Sequence, residues 1–356
     1  MKIGIIGLQN SGKTTIFNAL TRSEAEVADY SNAKAEPNLA VVNVEDERID
    51  RLVEIYQPRK TVRATVEFID FAGVSGKSGD KGGFPPELVQ AARTTDALVV
   101  VLRNFPSDLM GEPDPEADLD RICEEMTLSD LIIAETRLER IALDTKKGKK
   151  TPQLALEEEA LTAIRAQLEE NKPVRDLNIT GEAEKALRGF QFLTWKPVMV
   201  VLNSDEERFG KNAALLEKLN EKYRTVEFAG SFEMELSRLT DEADIQLFME
   251  DMGLTESARG LLIRTAYDLL GYISFFTVGP DEVRAWNLHR GQTAVEAAGV
   301  IHSDLARGFI RAECFSYDDL IAHGSEKALK EKGLLRLEGK DYRVKDGDIL
   351  CVRFNV

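Results

Sequence analysis

Apolar residues follow two rhythms along this chain, and the changes between them mark its parts. Up to about residue 119, short unbroken apolar runs at Lys2–Ile6, Leu39–Val44, Thr65–Asp70 and Ala97–Arg103 alternate with helical spacing. Such runs, separated by helices, predict a parallel sheet covered on both faces. The pattern returns at Pro197–Asn203 and Thr225–Ala229, which read as the last two strands of the same sheet. Between them Leu128, Leu131, Ile132, Leu138 and Ile141, then Leu154, Leu161, Ile164 and Leu168, recur at helical spacing among charged residues. Two long antiparallel helices joined at Lys146-Lys147-Gly148-Lys149-Lys150 are expected there. Helices are predicted again at Glu235–Met252 and Glu256–Leu270. After Gly271 the strands Ile273–Val278, Arg307–Ala312, Tyr342–Val344 and Ile349–Phe354 mix with short helices at Thr293–Ala298 and Tyr317–Ala322. Asp346-Gly347 is a turn signal before the last strand. The expected division is 1–119 with 190–272 as one domain, 120–189 as a helical insertion and 273–356 as a compact mixed domain.

A length of 356 residues accommodates these parts, each with its own core. No apolar run approaches the length of a membrane span. The first strand begins at Lys2, so no secretion signal is expected and the protein is placed in the cytoplasm. Cys123, Cys314 and Cys351 show neither metal spacing nor a disulfide framework and are expected to pack as small apolar groups. His289, His302 and His323 are equally dispersed, which argues against zinc. A net charge of -16 argues against a general nucleic-acid coat, because phosphates would be repelled by most of the surface, but leaves room for a local basic patch.

The step from the first strand to the first helix carries Gly7-Leu8-Gln9-Asn10-Ser11-Gly12-Lys13-Thr14, which fits G-x-x-x-x-G-K-[ST]. Glycines let successive N–H groups curl around a polyphosphate, and the helix N-terminus adds the positive end of its dipole. Asn10, Ser11 and Gly12 belong to that cradle, and Lys13 reaches the β- and γ-phosphates. The Thr14 hydroxyl holds Mg2+, and Thr15 continues the helix beneath the nucleotide. An ordinary glycine-rich turn is the plain alternative, which the full motif in its full context disfavours.

Asp70-Phe71-Ala72-Gly73 is a D-x-x-G at a strand end. There the aspartate holds the magnesium through its water shell, and the Gly73 N–H meets the γ-phosphate. The following Val74–Gly83 is rich in Gly and Lys, as a mobile switch or a solvated linker would be. Val74 stands where Ras-like switches orient water with a glutamine, so no catalytic residue is assigned and slow turnover is expected. Farther on, Asn203-Ser204-Asp205-Glu206 occupies the place of N-K-x-D in guanine-specific switches. Their aspartate accepts from guanine N1–H and N2–H2, donors that adenine lacks. Here Glu206 is one methylene longer and Ser204 replaces the stacking lysine, which relaxes the guanine requirement. The same residues also suit a polar loop after a buried strand.

Together these residues resemble the YchF (Obg-like) ATPases, a branch of the translation-factor class of P-loop GTPases. The likeness covers essentially the whole chain. Its most specific stretches are Glu36-Pro37-Asn38, the N-x-x-E from Asn203 to Glu206 and Val283-Arg284-Ala285-Trp286. Ile301-His302-Ser303-Asp304, Gly308-Phe309-Ile310-Arg311-Ala312 and Val344-Lys345-Asp346-Gly347-Asp348 extend it. The resemblance implies an α/β P-loop NTPase G domain with a mostly parallel sheet and helices on both faces. It also implies an inserted coiled-coil arm and a C-terminal TGS domain, a ubiquitin-like β-grasp module. It further implies ATP preferred over GTP, slow hydrolysis, adenine contacts around Ala229, Gly230 and Ser231, and association with ribosomes in translation or stress regulation. Asn10 matches an asparagine that helps hold K+ in related potassium-dependent switches. Three positions depart from the family: Gln9 replaces a usual proline, Ser11 a valine, and Lys34 the switch threonine that serves magnesium. A lysine cannot coordinate Mg2+; it lies against phosphate as a point charge or remains in solvent.

Arg137, Arg140, Lys146, Lys147, Lys149 and Lys150 place positive charge toward the arm tip, either an rRNA-facing surface or a solvated hairpin. Arg284, Trp286, Arg307 and Arg311 offer a second contact, although Trp286 also suits a core. A monomer without membrane attachment is expected. Two rivals stand beside an ATP-driven switch. A P-loop kinase would need a lid arginine pair and an acceptor pocket, and D-x-x-G with N-x-x-E argues against it. A non-catalytic adaptor gated by nucleotide fits the missing glutamine and Lys34, and a guanine-preferring GTPase is the remaining alternative.

Overall fold

The computed structural model describes residues 2–21, 37–71, 84–108, 110–149, 151–239, 242–251 and 256–355. Its strands are β1 (Lys2–Ile6), β2 (Asn38–Asn43), β3 (Lys60–Val62), β4 (Thr65–Asp70), β5 (Ala97–Asn104), β6 (Val198–Ser204), β7 (Arg224–Phe228), β8 (Tyr272–Thr277), β9 (Glu282–His289), β10 (Phe309–Ser316), β11 (Arg336–Glu338) and β12 (Asp348–Phe354). The helices that matter below are α1 (Lys13–Thr21), α2 (Glu47–Tyr56), α3 (Pro86–Arg93), α4 (Pro115–Lys146), α5 (Pro152–Glu169), α6 (Gly181–Leu187), α7 (Ala213–Asn220) and α8 (Gly230–Arg238). The chain packs as two units, residues 1–40 with 67–259, and residues 41–66 with 260–356.

The first sheet has the order β2-β4-β1-β5-β6-β7, and β1, β4, β5, β6 and β7 pair in parallel. Central β5 and β6 are buried along their whole length, as strands covered on both faces must be. β1 and β4 have the expected limits, and β2, β5, β6 and β7 lie within one residue of theirs. From β1 the sheet extends to β4 on one side and β5 on the other, so a crevice opens beyond the carboxyl ends at this switch point. Register sets Ile5 beside Asp70, Asn104 beside Ser204 and Asn203 beside Phe228, which lines these groups along one edge.

The arm is longer than the sequence suggests, because α4 starts at Pro115. Asp114 caps it by accepting from Ala117 N–H at 3.1 Å, and Pro115 sits where a missing N–H is harmless. Thr151 caps α5 through Leu154 N–H at 3.1 Å. Ala134, Ile141, Leu161, Ile164 and Leu168 close the hairpin core, and Glu157 takes Arg137 in a two-bond fork of 2.6 and 2.7 Å. Arg137 is therefore a strut across the arm. Arg140, Lys146, Lys147 and Lys149 are exposed, whereas Lys150 lies outside the described residues.

A buried ionic node fastens the arm's root. Fully buried Asp130 on α4 accepts from Arg93 of α3 at 2.8 Å and from Leu193 N–H at 3.0 Å. Its other oxygen accepts from the Thr194 N–H and hydroxyl, each at 2.8 Å. Arg93 also donates to Ser129 Oγ at 2.7 Å and to Gln191 O at 3.1 Å.

In the second unit the sheet order is β11-β10-β12-β8-β9-β3. β8 and β9 form an antiparallel hairpin, β12 joins β8 in parallel, and β10 pairs antiparallel with β12 and β11. The helix Ala294–Ile301, opened by a Thr293/Glu296 capping box, buries Ala294, Ala297 and Ala298 against Ile273, Phe275 and Leu350. This is the β-grasp arrangement. Its other edge is supplied from far upstream: β3 pairs in parallel with β9. α2 is anchored by Arg48, which bonds Asp46 and Asp346 and lies 5.3 Å from the Phe276 ring. Segment 41–66, assigned by sequence order to the first domain, thus packs with the C-terminal strands.

Three further expectations need correction. Tyr342–Val344 forms no strand but only an isolated bridge between Arg343 and Thr293, its tyrosine turned to donate to Asp348 at 2.8 Å. The helix expected over Glu235–Met252 is two, α8 and Glu242–Asp251. Cys314 is buried and Cys123 partly so, but Cys351 is exposed, because it alternates outward on β12 between Leu350 and Val352. Trp286 packs on Phe275, donates to Thr277 at 2.9 Å and carries Arg284 on its face at 3.8 Å, a core role with a cationic cover. Among the described residues no helix is long and apolar enough to cross a membrane, and no group of three or more His, Cys, Asp or Glu gathers to hold a metal.

Candidate nucleotide-binding site

The loop after β1 folds as its sequence demands. Ser11 N–H donates to Leu8 O at 3.4 Å, and Ile16 N–H to Gly12 O at 3.0 Å starts α1. Asn10 takes φ +61°, a left-handed conformation that asparagine tolerates better than most residues. Gly12 takes φ +88°, and a Cβ there would stand 2.1 Å from Asn203 Nδ2, so only glycine fits.

The Lys13 ammonium donates to Gly7 O at 3.0 Å and Leu8 O at 2.7 Å, which curls its stem over the loop. Burial pushes its pKa down and the Asp70 carboxylate opposes the shift. Thr14 donates to Asp70 Oδ2 at 3.1 Å, joining the start of α1 to the end of β4. Asp70 is fully buried, whereas Thr14 is exposed toward the crevice. A hydroxyl and a carboxylate this close form a hard oxygen pair of the kind Mg2+ takes. Thr15 packs its methyl toward Gly230, where a Cβ would be only 3.1 Å away.

The base-reading segment divides its labour. Asn203, nearly buried, donates to Ser11 O at 3.0 Å and accepts from Gly230 N–H at 3.2 Å. Its amide is thus a strut between the phosphate loop and the start of α8. Ala229 is buried, Gly230 opens α8, and Ser231 is exposed on the first turn. Ser204 points inward, and Asp205 accepts from Arg208 N–H at 2.9 Å. Glu206 is exposed, and among the described residues nothing hydrogen-bonds its carboxylate. The Ser11 hydroxyl is buried without a partner among the described residues, although its carbonyl is used. Gly73, Val74, Lys34 and Glu36 lie outside the described residues.

Sequence reading missed Phe105. Its ring edge comes within 4.0 Å of a Cβ built on Gly12, and it is partly exposed beside the loop. Buried Arg103 fixes it by donating to Phe105 O at 2.6 Å and Gly111 O at 2.9 Å. In the sequence, an apolar run ending in Arg-Asn-Phe reads as a strand end and nothing more.

Over 365 aligned residues the chain is 38% identical to the ribosome-binding ATPase YchF of Bacillus subtilis, with 99% of each protein covered. The chain belongs to the YchF family. Its YchF relatives include the ribosome-binding ATPase YchF of Haemophilus ducreyi, 39% identical over 363 residues, covering 100% of this chain and 99% of that protein. The family model YchF-GTPase_C, a protein of unknown function, matches residues 272–355, and MMR_HSR1, 50S ribosome-binding GTPase, matches residues 2–137. The structure of the Schizosaccharomyces pombe YchF GTPase superposes with a TM-score of 0.87 at 30% identity, covering 99% of this chain and 97% of that one. The YchF likeness therefore spans the phosphate-loop sheet, the arm and the β-grasp module together.

Proposed function

We propose that this YchF-family chain is a switch that binds ATP in preference to GTP, hydrolyses it slowly and associates with ribosomes in the control of translation or the stress response. The observation that carries the reading is the joining of Thr14 to Asp70 beside Lys13 at the carboxyl end of the first sheet, with exposed Glu206 on the loop that leaves β6 at that same end. The relatives named ribosome-binding ATPase support the activity and the partner.

Lys13, Asn10, Ser11 and Gly12 bind the phosphates, with Thr15 beneath them. Thr14 and Asp70 would hold Mg2+, which would supply charge neutralisation for the polyphosphate. Gly73 would complete the γ-phosphate contacts, and K+ beside Asn10 would add a second cation. With Val74 in place of a water-orienting glutamine, intrinsic turnover is slow and ribosomes are the natural activator to try. The adenine sits between the Phe105 side and the loop of Asn203 to Glu206, close to the backbone of Ala229–Ser231. Its N6 amino group donates to Glu206. Residues 1–119 with 190–272 bind nucleotide, 120–189 form the arm and 273–356 the TGS module, on which 41–66 are packed. Exposed Lys146, Lys147 and Lys149, with Lys150, present the rRNA-facing charge.

Calorimetric titration with ATP and GTP tests the reading. Because a hydrogen bond to a charged group contributes about 1.5–3 kcal/mol, Glu206→Ala should weaken ATP by roughly tenfold or more and bring the ATP:GTP ratio toward unity. Tighter GTP binding by the unaltered protein would sink the ATP assignment. Phosphate release measured with and without ribosomes then separates the switch from an adaptor, for which none would appear. For the metal, Thr14→Ala should abolish most of the difference in ATP affinity between magnesium-containing and EDTA-containing buffer. An undiminished magnesium effect would remove Thr14 from the metal site.

A further inference from the structure

The loop that carries Glu206 is held at both ends by one carboxylate that belongs to neither the phosphate loop nor the N-x-x-E segment. Glu227 lies on β7 opposite Leu202 of β6. Its Oε1 accepts from Ser204 Oγ at 2.7 Å and from Asn212 Nδ2 at 2.5 Å. Its Oε2 accepts from Gly210 N–H at 3.1 Å. Ser204 is the last residue of β6, while Gly210 and Asn212 lead into α7. Asn104, at the end of β5, donates to Ser204 Oγ at 2.9 Å from the other side.

Both Glu227 oxygens are already engaged within this node, so it acts through the loop. Asp205 turns the loop by accepting from Arg208 N–H, and Arg208 reaches Glu112 at 2.7 Å, on the segment that carries Phe105. Glu206 sits between the two anchored ends and has no hydrogen bond of its own among the described residues. Its carboxylate is therefore placed by the backbone, whose two ends Glu227 fixes. Where guanine-specific switches project a lysine over the base, this chain turns Ser204 inward to reach that carboxylate.

We propose that Glu227 is a positioning residue for base selection, holding Ser204, Gly210 and Asn212 so that Glu206 faces the adenine edge. The proposal rests on the reading that Glu206 contacts the base. It predicts a loss specific to the base: the phosphate loop is held separately, through Asn203.

The test uses the full chain and calorimetric affinities for ATP, GTP and magnesium tripolyphosphate, the last a probe without a base. Glu227→Ala should weaken ATP by about tenfold and shrink the ATP:GTP ratio to within roughly threefold of unity, with tripolyphosphate changed by less than about twofold. Glu227→Gln keeps an acceptor for Ser204 and should restore much of the ratio. An unchanged ratio in Glu227→Ala, or equal weakening of ATP and tripolyphosphate, overturns the proposal. Ser204→Ala removes the hydroxyl that links Glu227 to Asn104 and should move the ratio in the same direction, a second test should Glu227→Ala not fold. Glu206→Ala separates the two claims: a ratio that Glu206→Ala leaves unmoved retires Glu206 as the reader and, with it, Glu227 as its positioning residue. A ratio moved by Glu206→Ala but by neither Glu227→Ala nor Ser204→Ala keeps Glu206 as the reader and overturns the proposal for Glu227 alone.

Discussion

Lys13→Ala should lower ATP affinity by at least two orders of magnitude while leaving the fold intact. The Lys13 stem already lies over the loop, tethered to the carbonyls of Gly7 and Leu8, so little ordering remains to be done when phosphate arrives. Burial disfavours the ammonium in the free protein, and a polyphosphate beside it restores the preference for charge. With two of its three N–H groups on carbonyls, Lys13 keeps one charge-assisted bond for phosphate, about 1.5–3 kcal/mol. Its Coulomb attraction to the phosphate charges, about 4 kcal/mol per unit charge at about 4 Å near a protein surface, brings the loss on truncation to roughly 100-fold or more. Lys13→Arg should fail to rescue, because a planar fork does not match a seat built for a compact ammonium between two carbonyls. Calorimetric titration with ATP, beside a thermal melt without nucleotide, measures both halves. A loss below about fivefold would overturn the phosphate-loop assignment.

The largest effect on stability belongs to Asp130→Ala, far from the nucleotide. Removing that carboxylate strands the Arg93 guanidinium, 7% exposed, with no counter-charge. It also leaves the buried N–H groups of Leu193 and Thr194 without acceptors. Breaking one side of a buried pair typically costs about 3–5 kcal/mol, because the partner's desolvation is no longer offset. Urea unfolding followed by far-UV circular dichroism should show the first transition moving sharply to lower denaturant. Asp130→Asn should fall between, since one side of a carboxamide would present N–H groups to donors. The paired replacement Asp130→Leu with Arg93→Met should recover much of the loss. A shift worth less than about 1 kcal/mol would show that the node contributes little.

The contrast between these two residues explains what the sequence could disclose. Lys13 is legible because its chemistry is local: strand, glycines, lysine and helix follow one another, and the apolar runs around them set β1 and β4 to the residue. Asp130 is one more charge on a helix full of charges, and only the return of Leu193 and Thr194 beneath it reveals its burial. Glu227 is similar, an acidic residue in a short strand whose partners come from the end of β6 and the lead into α7. Asn203 was legible as a site residue, but its two bonds, to Ser11 and Gly230, are a matter of register and not of spacing. Segment 41–66 was the least legible. Proximity in sequence joins it to the first sheet, and nothing local announces a partner strand that arrives much later.

That delay bears on how the protein is made. β3 emerges about 220 residues before β9, the strand it must pair with. At roughly 5–20 residues per second, the interval is on the order of tens of seconds. Through all of it Ile49 and Leu52 of α2, fully buried in the finished protein, have only part of their eventual covering, and β3 offers an unpaired edge. Vectorial synthesis therefore opens a window in which this early segment is vulnerable to mispairing and open to capture by chaperones. The second sheet closes on a schedule set by chain elongation.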